Sequence, residues 1–418
     1  MTGADRPTLA IVYGEGSASA MALSGAAASL CDIAWVIDST VTRDASMLRL
    51  LRKMGTTVDL AGLSEEESAA AVKAVHPAGI VAYADAQIAT AAALAEILGL
   101  DYYDRTVADR LLDKVTQRRA LGDGGLPVPR CVVVPAHPSP REIDAVAAGV
   151  AFPVVLKPRH GAASRDTHLA ADAAQLQALV AQLPEGAGDA DMVVEEFMPD
   201  PSAHPSSWFG DYVSVESVVA SGRVSHLAVT GRLPGAKPFR ETGLIIPSDF
   251  APSLQSSILE VASAAIAALE IRTGCLHTEI KVTDAGPRVI EVNGRIGGFV
   301  APVLALASGI DFFEVSQRVA LGETLAFADL LPTPQVGYVT VGQPPIGARR
   351  VVSVTGLDKI AAYPGVDSVS LNRQPGAEVD WRLGSHEYVY AVLGRAPDHD
   401  AVHAMQDFVD QEVKVVYE

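Results

Sequence analysis

Two glutamates, Glu279 and Glu291, lie on a predicted β-hairpin where they could bind a cation together. Residues 277–282 and 289–293 have the composition of strands, and residues 284–287 (Asp-Ala-Gly-Pro) have that of a turn. Since side chains alternate along a strand, we expect the two glutamates to face each other across the hairpin. Two carboxylates held this close resist joint ionisation unless a cation lies between them.

The residues that follow extend this site toward phosphate chemistry. Asn293 comes two positions after Glu291 and is expected on the same face of the strand. Carboxylate and amide oxygens suit Mg²⁺ or Mn²⁺. The planar guanidinium of Arg295 suits an oxyanion or a phosphate, and Gly297 and Gly298 allow backbone to approach a ligand closely. An ordinary exposed glutamate pair is the alternative, and the tight spacing of these residues argues against it.

This set resembles the metal-binding and catalytic residues of the ATP-grasp superfamily. Glu291, Asn293 and Arg295 follow Glu279 at offsets of 12, 14 and 16 residues. The surrounding sequence is most similar to the carboxylate–amine ligases of that superfamily, the L-amino-acid ligases and carnosine synthases. The resemblance implies that ATP binds with two Mg²⁺ (or Mn²⁺) ions on Glu279, Glu291 and Asn293. It also implies that Arg295 and the backbone at Gly298 act in catalysis.

The overall composition indicates an acidic globular protein of several domains. Its 418 residues exceed what one hydrophobic core usually supports. A net charge of −18 argues against nucleic acid or an anionic membrane surface as a partner. The three cysteines, at positions 31, 131 and 275, predict neither a disulfide framework nor a cysteine metal site. With no signal sequence and no apolar run of transmembrane length, we expect a cytoplasmic protein.

Strands and helices alternate over residues 1–106, which predicts an N-terminal doubly wound domain with a parallel sheet. Gly14 and Gly16 after the first strand, with Asp38 after the second, leave a nicotinamide dinucleotide site open as an alternative. The third glycine of that fingerprint is absent, because Ser19 stands in its place. The resemblance implies instead the N-terminal domain of an ATP-grasp enzyme, which borders the acceptor pocket.

Two lysines and a serine are the candidate ligands of the nucleotide phosphates. We predict one helix over residues 107–121 that carries Lys114, and a strand that ends near Lys157 and leads into the small-residue loop 160–164. A lysine below such a loop supplies a point charge, while backbone N–H groups and the Ser164 hydroxyl can donate to phosphate oxygens. The resemblance implies that Lys114 and Lys157 bind the nucleotide and that the loop closes over ATP as a lid.

The strand that contains Glu195 is implied by the resemblance to be the hinge that holds adenine. Backbone at Glu196, Phe197 and Met198 would hydrogen-bond the edge of the base. The Glu195 side chain would reach the amino group of the base, and Ile290 would pack under its ring. Each of these residues could also belong to an ordinary strand, so the assignment depends on the resemblance.

Glu241 is the candidate ligand for a substrate amino group, by resemblance to its counterpart in amino-acid ligases. Arg295 is expected to contact substrate as well as to act in catalysis. A ribose-hydroxyl ligand is expected at Asp211 or Tyr212, where many relatives have glutamate. Leu244 stands where amino-acid ligases often have histidine, which predicts a different or more apolar substrate pocket.

These features predict an α/β (α+β) protein with the ATP-grasp fold. Its parts are an N-terminal Rossmann-like domain (1–106), an ATP-grasp domain (107–330) with a lid at about 130–198, and a biotin-carboxylase-like C-terminal lobe (331–418). The expected reaction joins a small carboxylate, such as an amino acid, to an amine through an acyl phosphate, and relatives imply a homodimer. Carboxylation, acid–thiol ligation, a nicotinamide-dependent dehydrogenase and a catalytically inactive nucleotide-binding protein stay open as alternatives.

Overall fold

The computed structural model describes residues 6–14, 16, 18–41, 44–183, 191–203, 206 and 209–418. Glu15 and Ser17, in the glycine-rich turn after the first strand, lie outside the described residues, as does part of the Pro/Ser-rich loop near residue 205. The described residues form one eight-stranded sheet, two four-stranded sheets and one two-stranded sheet.

The N-terminal elements alternate as predicted. They are β1 Thr8–Val12, α1 Ala20–Ala27, β2 Asp32–Ile37, α2 Ala45–Met54, β3 Thr56–Asp59, α3 Glu65–Lys73, β4 Pro77–Ala82 and α4 Asp85–Leu98. The sheet is parallel in the order β3-β2-β1-β4. Gly99 ends α4 in the left-handed conformation, at φ 68°, which glycine adopts without strain.

The features that suggested a dinucleotide site have packing and capping roles. A Cβ on Gly16 would lie 2.6 Å from the Cβ of Ala84, so glycine is needed where the first turn meets the start of α4. A Cβ on Gly14 would overlap the Gln87 side chain. Asp38 accepts hydrogen bonds from the N–H and the hydroxyl of Thr40 and so closes its own turn. These contacts account for the three residues without a dinucleotide, so the structure adds no support to the dehydrogenase alternative.

The helix predicted over residues 107–121 is two helices, and the prediction was wrong at Asp113. Helix α5 spans Arg105–Leu112 and α6 spans Lys114–Asp123. Asp113 has extended backbone (φ −102°, ψ 113°), and its carboxylate accepts from the N–H groups of Val115 and Thr116. Aspartate caps a new helix in this way because its side chain competes for backbone donors.

The predicted lid is a four-stranded antiparallel sheet in the order β5-β8-β6-β7, with two helices. The elements are β5 Cys131–Val134, α7 Pro140–Ala148, β6 Val154–Pro158, β7 His168–Ala170, α8 Ala173–Ala181 and β8 Met192–Glu196. Apolar side chains from both helices and from β5, β6, β7 and β8 form a separate small core, including Ile143, Leu156 and Leu176.

The large antiparallel sheet runs from the hairpin to the C-terminal part of the chain, in the order β13-β12-β9-β10-β11-β14-β17-β16. Its strands are β9 Tyr212–Ala220, β10 Arg223–Arg232, β11 Gly243–Ile246, β12 Gly274–Thr283, β13 Gly286–Asn293, β14 Val336–Gly342, β16 Val366–Leu371 and β17 Tyr390–Ala396. Strand β14 pairs with β11, so the predicted C-terminal lobe continues the sheet that carries the hairpin. The boundaries at residues 106 and 330 stay predictions.

The remaining elements surround this sheet. They are α9 Pro252–Ala268, α10 Val300–Ser308, α11 Phe312–Ala320, the pair β15 Val351–Thr355 and β18 Lys414–Tyr417, α12 Leu357–Ala361, a 3₁₀ segment at Trp381–Glu387, and α13 His399–Glu412. Helices α10 and α11 pack between the N-terminal sheet and the large sheet in one hydrophobic core. This packing brings the start of α4 beside the end of the hairpin.

Among the described residues, no single helix has both the length and the apolar composition that a membrane crossing requires. Helices α10 and α11, which meet at 110°, satisfy those two criteria only when taken together.

Candidate active site

The predicted hairpin forms, and it places Glu279 directly opposite Glu291. Strands β12 and β13 pair in an antiparallel register that matches these two residues and also His277 with Asn293. The two glutamate side chains keep 24% and 20% of their surface exposed, so both can contact a ligand. The facing geometry expected from the sequence is confirmed.

A β-bulge interrupts the hairpin at Ile290. The register passes from the pair Glu279–Glu291 to the pair Ile280–Val289, which leaves Ile290 without a partner on β12. The Ile290 carbonyl accepts a hydrogen bond from the guanidinium of Arg118 instead. The packing of the Ile290 side chain under adenine stays a prediction.

Buried charges beneath Glu279 keep it ionised. Burial opposes ionisation, but a hydrogen bond from His277 and the nearby Arg232 outweigh it and lower the pKa of Glu279 to about 2. His277 lies on the fully buried Glu216, with 2.9 Å between Nδ1 and Oε2. Burial alone would lower the pKa of His277, but Glu216 raises it to about 9. Glu279 is therefore a carboxylate at neutral pH, the form that binds metal ions.

Lys114 joins the hairpin to the phosphate loop, the name we use for residues 160–167. Its Nζ lies 3.2 Å from Oε1 of Glu291 and donates to the Gly161 carbonyl at 2.8 Å. The side chain is only 8% exposed, and its place at the start of α6 is fixed by the Asp113 cap. The structure thus brings Lys114 beside the hairpin, which the sequence assigned to the metal, and beside the loop, which it assigned to phosphate.

Lys157, the second predicted lysine, lies in a buried ion-pair cluster with Glu195 and Arg118. Arg118 donates to both oxygens of Glu195, at 2.8 and 3.2 Å, and Lys157 Nζ lies 2.6 Å from Oε2. Glu195 is thus occupied by two cations, and its contact with an adenine amino group stays a prediction. Sequence reasoning missed Arg118, although it follows Lys114 by four residues and so shares its helix face.

We expect Glu195→Gln to destabilise the protein by about 3–5 kcal/mol, because it leaves two buried cations without their counter-charge. Burial alone would raise the pKa of Glu195 above its usual 4.5. The charges and hydrogen bonds of Arg118 and Lys157 have the larger effect and lower that pKa to about 2. The stabilisation is therefore complete above about pH 4.5 and is lost as the pH falls toward 2. Urea unfolding of both proteins between pH 3 and 7 measures the difference.

The matched control is Glu196→Gln, one residue along the chain. Within the part of the chain that the structure describes, the Glu196 carboxylate accepts one backbone hydrogen bond, from Ala151 at 2.9 Å, and a glutamine can accept it too. We expect the control to unfold within about 0.5 kcal/mol of wild type. Equal stability of the Glu195 variant and wild type at pH 7 would contradict the buried-pair assignment.

The backbone of the predicted adenine hinge is partly used within the lid. The N–H of Glu196 donates to the Arg130 carbonyl at 3.0 Å, and that of Phe197 donates to Pro153 at 2.9 Å. Of the three residues whose backbone was assigned to the base edge, Met198 is the remaining candidate for an N–H donor. At Glu196 and Phe197, the carbonyl group is therefore the remaining candidate for a hydrogen bond with the base. The contact with adenine stays a prediction.

The phosphate loop follows β6 as predicted and contains residues in unusual conformations. Ala163, Ser164 and Asp166 have φ values of 59°, 56° and 47°, a left-handed region that non-glycine residues rarely adopt. Such strain persists only where surrounding contacts impose it, and it is concentrated at functional sites. Phosphate binding by the Ser164 hydroxyl stays a prediction.

Arg295 lies at the end of the hairpin and is oriented by the N-terminal domain. It donates to Oδ2 of Asp85, the first residue of α4, at 2.9 and 3.3 Å, and to Oδ1 of Asn293 at 3.2 Å. Gly297 is needed beside it, since a Cβ there would lie 2.5 Å from the His277 ring. Among the described residues, nothing lies within 4 Å of a Cβ added to Gly298, which precedes α10 and the positive end of its helix dipole. Sequence reasoning missed Asp85.

We expect Asp85→Asn to lower kcat about tenfold, as is usual when a polar group that orients a functional side chain is lost. The KM for ATP should change little, because Lys114 and Lys157, the residues assigned to the nucleotide phosphates, keep their contacts. Steady-state phosphate release at saturating substrates measures both parameters. Asp101→Asn, an exposed change in the same domain, is the control, and an unaltered kcat in the Asp85 variant would contradict the orienting role.

Glu241 lies at the amino-substrate loop, the name we use for residues 234–242, and is held by two neighbours. Arg232 donates to its Oε1 at 2.8 Å, and the Tyr212 hydroxyl donates to the same atom at 3.3 Å. Arg232 is buried at 1% exposure and lies 5.6 Å from the centre of the Tyr212 ring. Tyr212 is therefore engaged on the substrate side, which does not favour it as the ribose ligand.

Asp211 and Leu244 also contact other parts of the protein. Asp211 forms an ion pair with Lys281, which Asp200 shares at 2.6 Å, so its part in ribose binding stays a prediction. Leu244 is 2% exposed and packs inside the hydrophobic core between the sheet and α10. Its side chain faces the core, so the structure gives no support to the more apolar substrate pocket expected at this position.

The donors at the end of the hairpin fit a hard divalent cation. They are two facing carboxylates and a buried amide, the oxygen types that Mg²⁺ and Mn²⁺ prefer. Over the described ranges there is no group of three or more His, Cys, Asp or Glu side chains placed to hold a metal. Since Mg²⁺ commonly completes its shell with substrate phosphates and water, two carboxylates suffice for a nucleotide-bound ion.

Comparisons with known proteins agree with this geometry. Residues 150–303 match the ATP-grasp domain family. The chain is 27% identical over 322 residues to the uncharacterized protein y4rH of Sinorhizobium fredii, which covers 73% of this chain and 61% of that protein. It is 27% identical over 232 residues to a D-alanine–D-alanine ligase of Gloeobacter violaceus, covering 54% of this chain and 74% of the ligase. The first of these alignments spans less than two thirds of the relative's length.

The fold is similar to that of the L-amino acid ligase from Bacillus licheniformis. The two structures superpose with a TM-score of 0.76 at 19% identity, over 99% of this chain and 100% of that one. At this identity the likeness concerns the fold. The predicted α/β architecture, from the N-terminal domain through the lid to the C-terminal lobe, is confirmed.

Proposed function

Because this chain belongs to the ATP-grasp superfamily, we propose that it is an ATP-dependent carboxylate–amine ligase. The single observation that carries the proposal is the hairpin. It holds Glu279 opposite Glu291, with Lys114 beside Glu291 and Arg295 beside Asn293. Carboxylates for a metal, a lysine for phosphate and a guanidinium for an oxyanion are the parts that phosphoryl and acyl transfer require.

The proposed reaction has two steps. A substrate carboxylate oxygen attacks the γ-phosphorus of ATP, the bond to ADP breaks, and an acyl phosphate forms. The nitrogen of an amine then attacks the acyl carbon and loses a proton, while the bond to phosphate breaks. The products are an amide, ADP and phosphate.

Each residue of the site has a role in these steps. Lys114 and Lys157 bind phosphates, and the phosphate loop excludes water from the acyl phosphate. Glu279, Glu291 and Asn293 would hold two divalent ions, which when bound neutralise charge between the γ-phosphate and the attacking carboxylate. Arg295 donates to the transferring phosphoryl group and then to the oxyanion of the tetrahedral intermediate.

The substrate assignment rests on Glu241. Its carboxylate, on the amino-substrate loop beside Arg232, would accept hydrogen bonds from a substrate ammonium. We infer that one substrate is an amino acid and that the other is a second amino acid or a specialised metabolite. A homodimer stays a prediction.

The direct test is phosphate release from ATP across a panel of amino acids paired with amines. We expect release that requires an acid and Mg²⁺, and hydroxamate formation when hydroxylamine replaces the amine, because hydroxylamine traps acyl phosphates. Dependence on biotin or a thiol would favour the carboxylase or acid–thiol alternatives. Thermal protection by ATP and Mg²⁺ without phosphate release from any acid would favour a catalytically inactive nucleotide-binding protein.

A further inference from the structure

The 3₁₀ segment Trp381–Glu387, which we call the clamp segment, lies between the phosphate loop and the amino-substrate loop. Its Ser385 contacts both loops. The Ser385 N–H donates to the Ala163 carbonyl at 2.8 Å, and its hydroxyl accepts from the N–H of Glu241 at 3.0 Å. One residue from the C-terminal part of the chain therefore joins the two loops on which ATP and the amino substrate are proposed to bind.

Gln343, just after β14, closes this arrangement. Its side-chain amide donates to the Glu241 carbonyl at 2.8 Å and to the Ser385 carbonyl at 3.0 Å. The Glu241 peptide is thus held by the Ser385 hydroxyl, and the carbonyls of both residues share one donor, the Gln343 amide. A displacement of Ser385 must move the backbone of Glu241 or break these bonds.

The backbone of the clamp segment also contacts the backbone of the phosphate loop directly. Gly384 has φ 82° and ψ −153°, a conformation essentially restricted to glycine. A Cβ there would lie 2.1 Å from the Ala163 carbonyl oxygen and 2.8 Å from the Arg165 nitrogen. The N–H of Asp166 donates to the Arg382 carbonyl at 2.9 Å. These contacts hold the residues of the loop that have positive φ.

We propose that Gly384 and Ser385 are positioning residues that couple closure of the phosphate loop over ATP to the placement of Glu241. The inference rests on the proposed function. Nucleotide contacts order the phosphate loop, the loop fixes Ser385, and Ser385 fixes the main chain that carries Glu241. ATP then prepares the site for the amino substrate, and the amino substrate tightens ATP binding by the same factor.

The test is hydrogen–deuterium exchange of the full-length protein with and without the ATP analogue AMP-PNP and Mg²⁺. In wild type we expect slower exchange in residues 160–167 and also, about tenfold, in residues 236–243, a typical size for coupling between sites. In Ser385→Ala we expect the slowing to persist in the first range and to diminish in the second, where Gln343 still bridges the carbonyls of Ser385 and Glu241. Leu383→Ala, an exposed change within the clamp segment, should behave as wild type.

Two further variants distinguish a loss of coupling between the two loops from a general disordering of the protein. Ser385→Thr keeps the hydroxyl and should restore the effect in residues 236–243. Gly384→Ala separates the clamp segment from the phosphate loop and should abolish that effect while Ser385 stays intact. Slowing of residues 236–243 in Ser385→Ala that is as large as in wild type would overturn the coupling.

Kinetics supply a second readout once the phosphate-release panel has identified a substrate pair. Ser385→Ala should raise the KM for the amino substrate about five- to tenfold and leave kcat within about twofold, as expected when only binding is affected. If AMP-PNP slows exchange only in residues 160–167 of wild type, the coupling is wrong and nucleotide binding stands. If it slows exchange in neither range, the proposed function is wrong as well.

Discussion

Replacement of Arg295 by alanine is expected to lower kcat roughly 10²–10³-fold, the usual loss when one donor to a developing oxyanion is removed. Arg295 is fixed by Asp85 and Asn293, so its guanidinium needs no reorganisation as charge develops. The KM for ATP should change little, since Lys114 and Lys157 remain. Phosphate release with the identified substrate pair gives both parameters.

Arg295→Lys tests whether the positive charge of Arg295 is sufficient or whether its planar guanidinium is required. A lysine keeps the positive charge but not the planar fork, so we expect it to recover at most about a tenth of the lost activity. Arg288→Ala, on strand β13 of the same hairpin, is the matched control for loss of a cation. Turnover of Arg295→Ala at the wild-type rate would remove Arg295 from the mechanism, and a thermal melt of each variant excludes unfolding as the cause.

Glu279→Gln is expected to lower activity on the order of 10³-fold, because a catalytic divalent ion contributes several kcal/mol to transition-state stabilisation. This change leaves the ion pair between Lys114 and Glu291 intact. It also leaves the buried pair of His277 and Glu216 in place, so the fold should survive. The Mg²⁺ concentration for half-maximal activity should rise sharply.

Mn²⁺ binding provides a readout that does not need turnover. Electron paramagnetic resonance of Mn²⁺ with ATP should show weaker binding to Glu279→Gln than to wild type. Glu378→Gln, whose side chain is 87% exposed, changes the net charge equally and should have no effect. Wild-type Mn²⁺ affinity in Glu279→Gln would show that the hairpin does not hold the metal.

The hairpin could be predicted because its information is local. Strand alternation predicts the hairpin, but it does not fix which residues pair. Thr283 pairs with Gly286 across the turn at residues 284–285, and a regular register from there would place Glu279 opposite Ile290. The bulge at Ile290, which nothing in the local pattern marks, shifts the register by one residue and places Glu291 opposite Glu279. The hairpin therefore follows from the sequence, while the pairing of the two glutamates depends on the bulge.

The residues that were missed act over long distances in the chain. Asp85 is 210 residues from Arg295, and the Trp381–Glu387 segment contacts a loop more than 200 residues earlier. Such partners become visible only when the domains are packed together. The single-helix prediction failed for a local reason. The Asp113 carboxylate caps the N-terminus of a new helix, although the helical periodicity continues on both sides of it.

The bulge at Ile290 has a mechanical consequence. Its carbonyl is bound to Arg118, and Arg118 is bound through Glu195 to the lid sheet, so a buried chain of contacts crosses from hairpin to lid. Arg118 and Glu195 are 5% and 4% exposed, so a movement of the lid at β8 must carry the Ile290 carbonyl with it or break these hydrogen bonds.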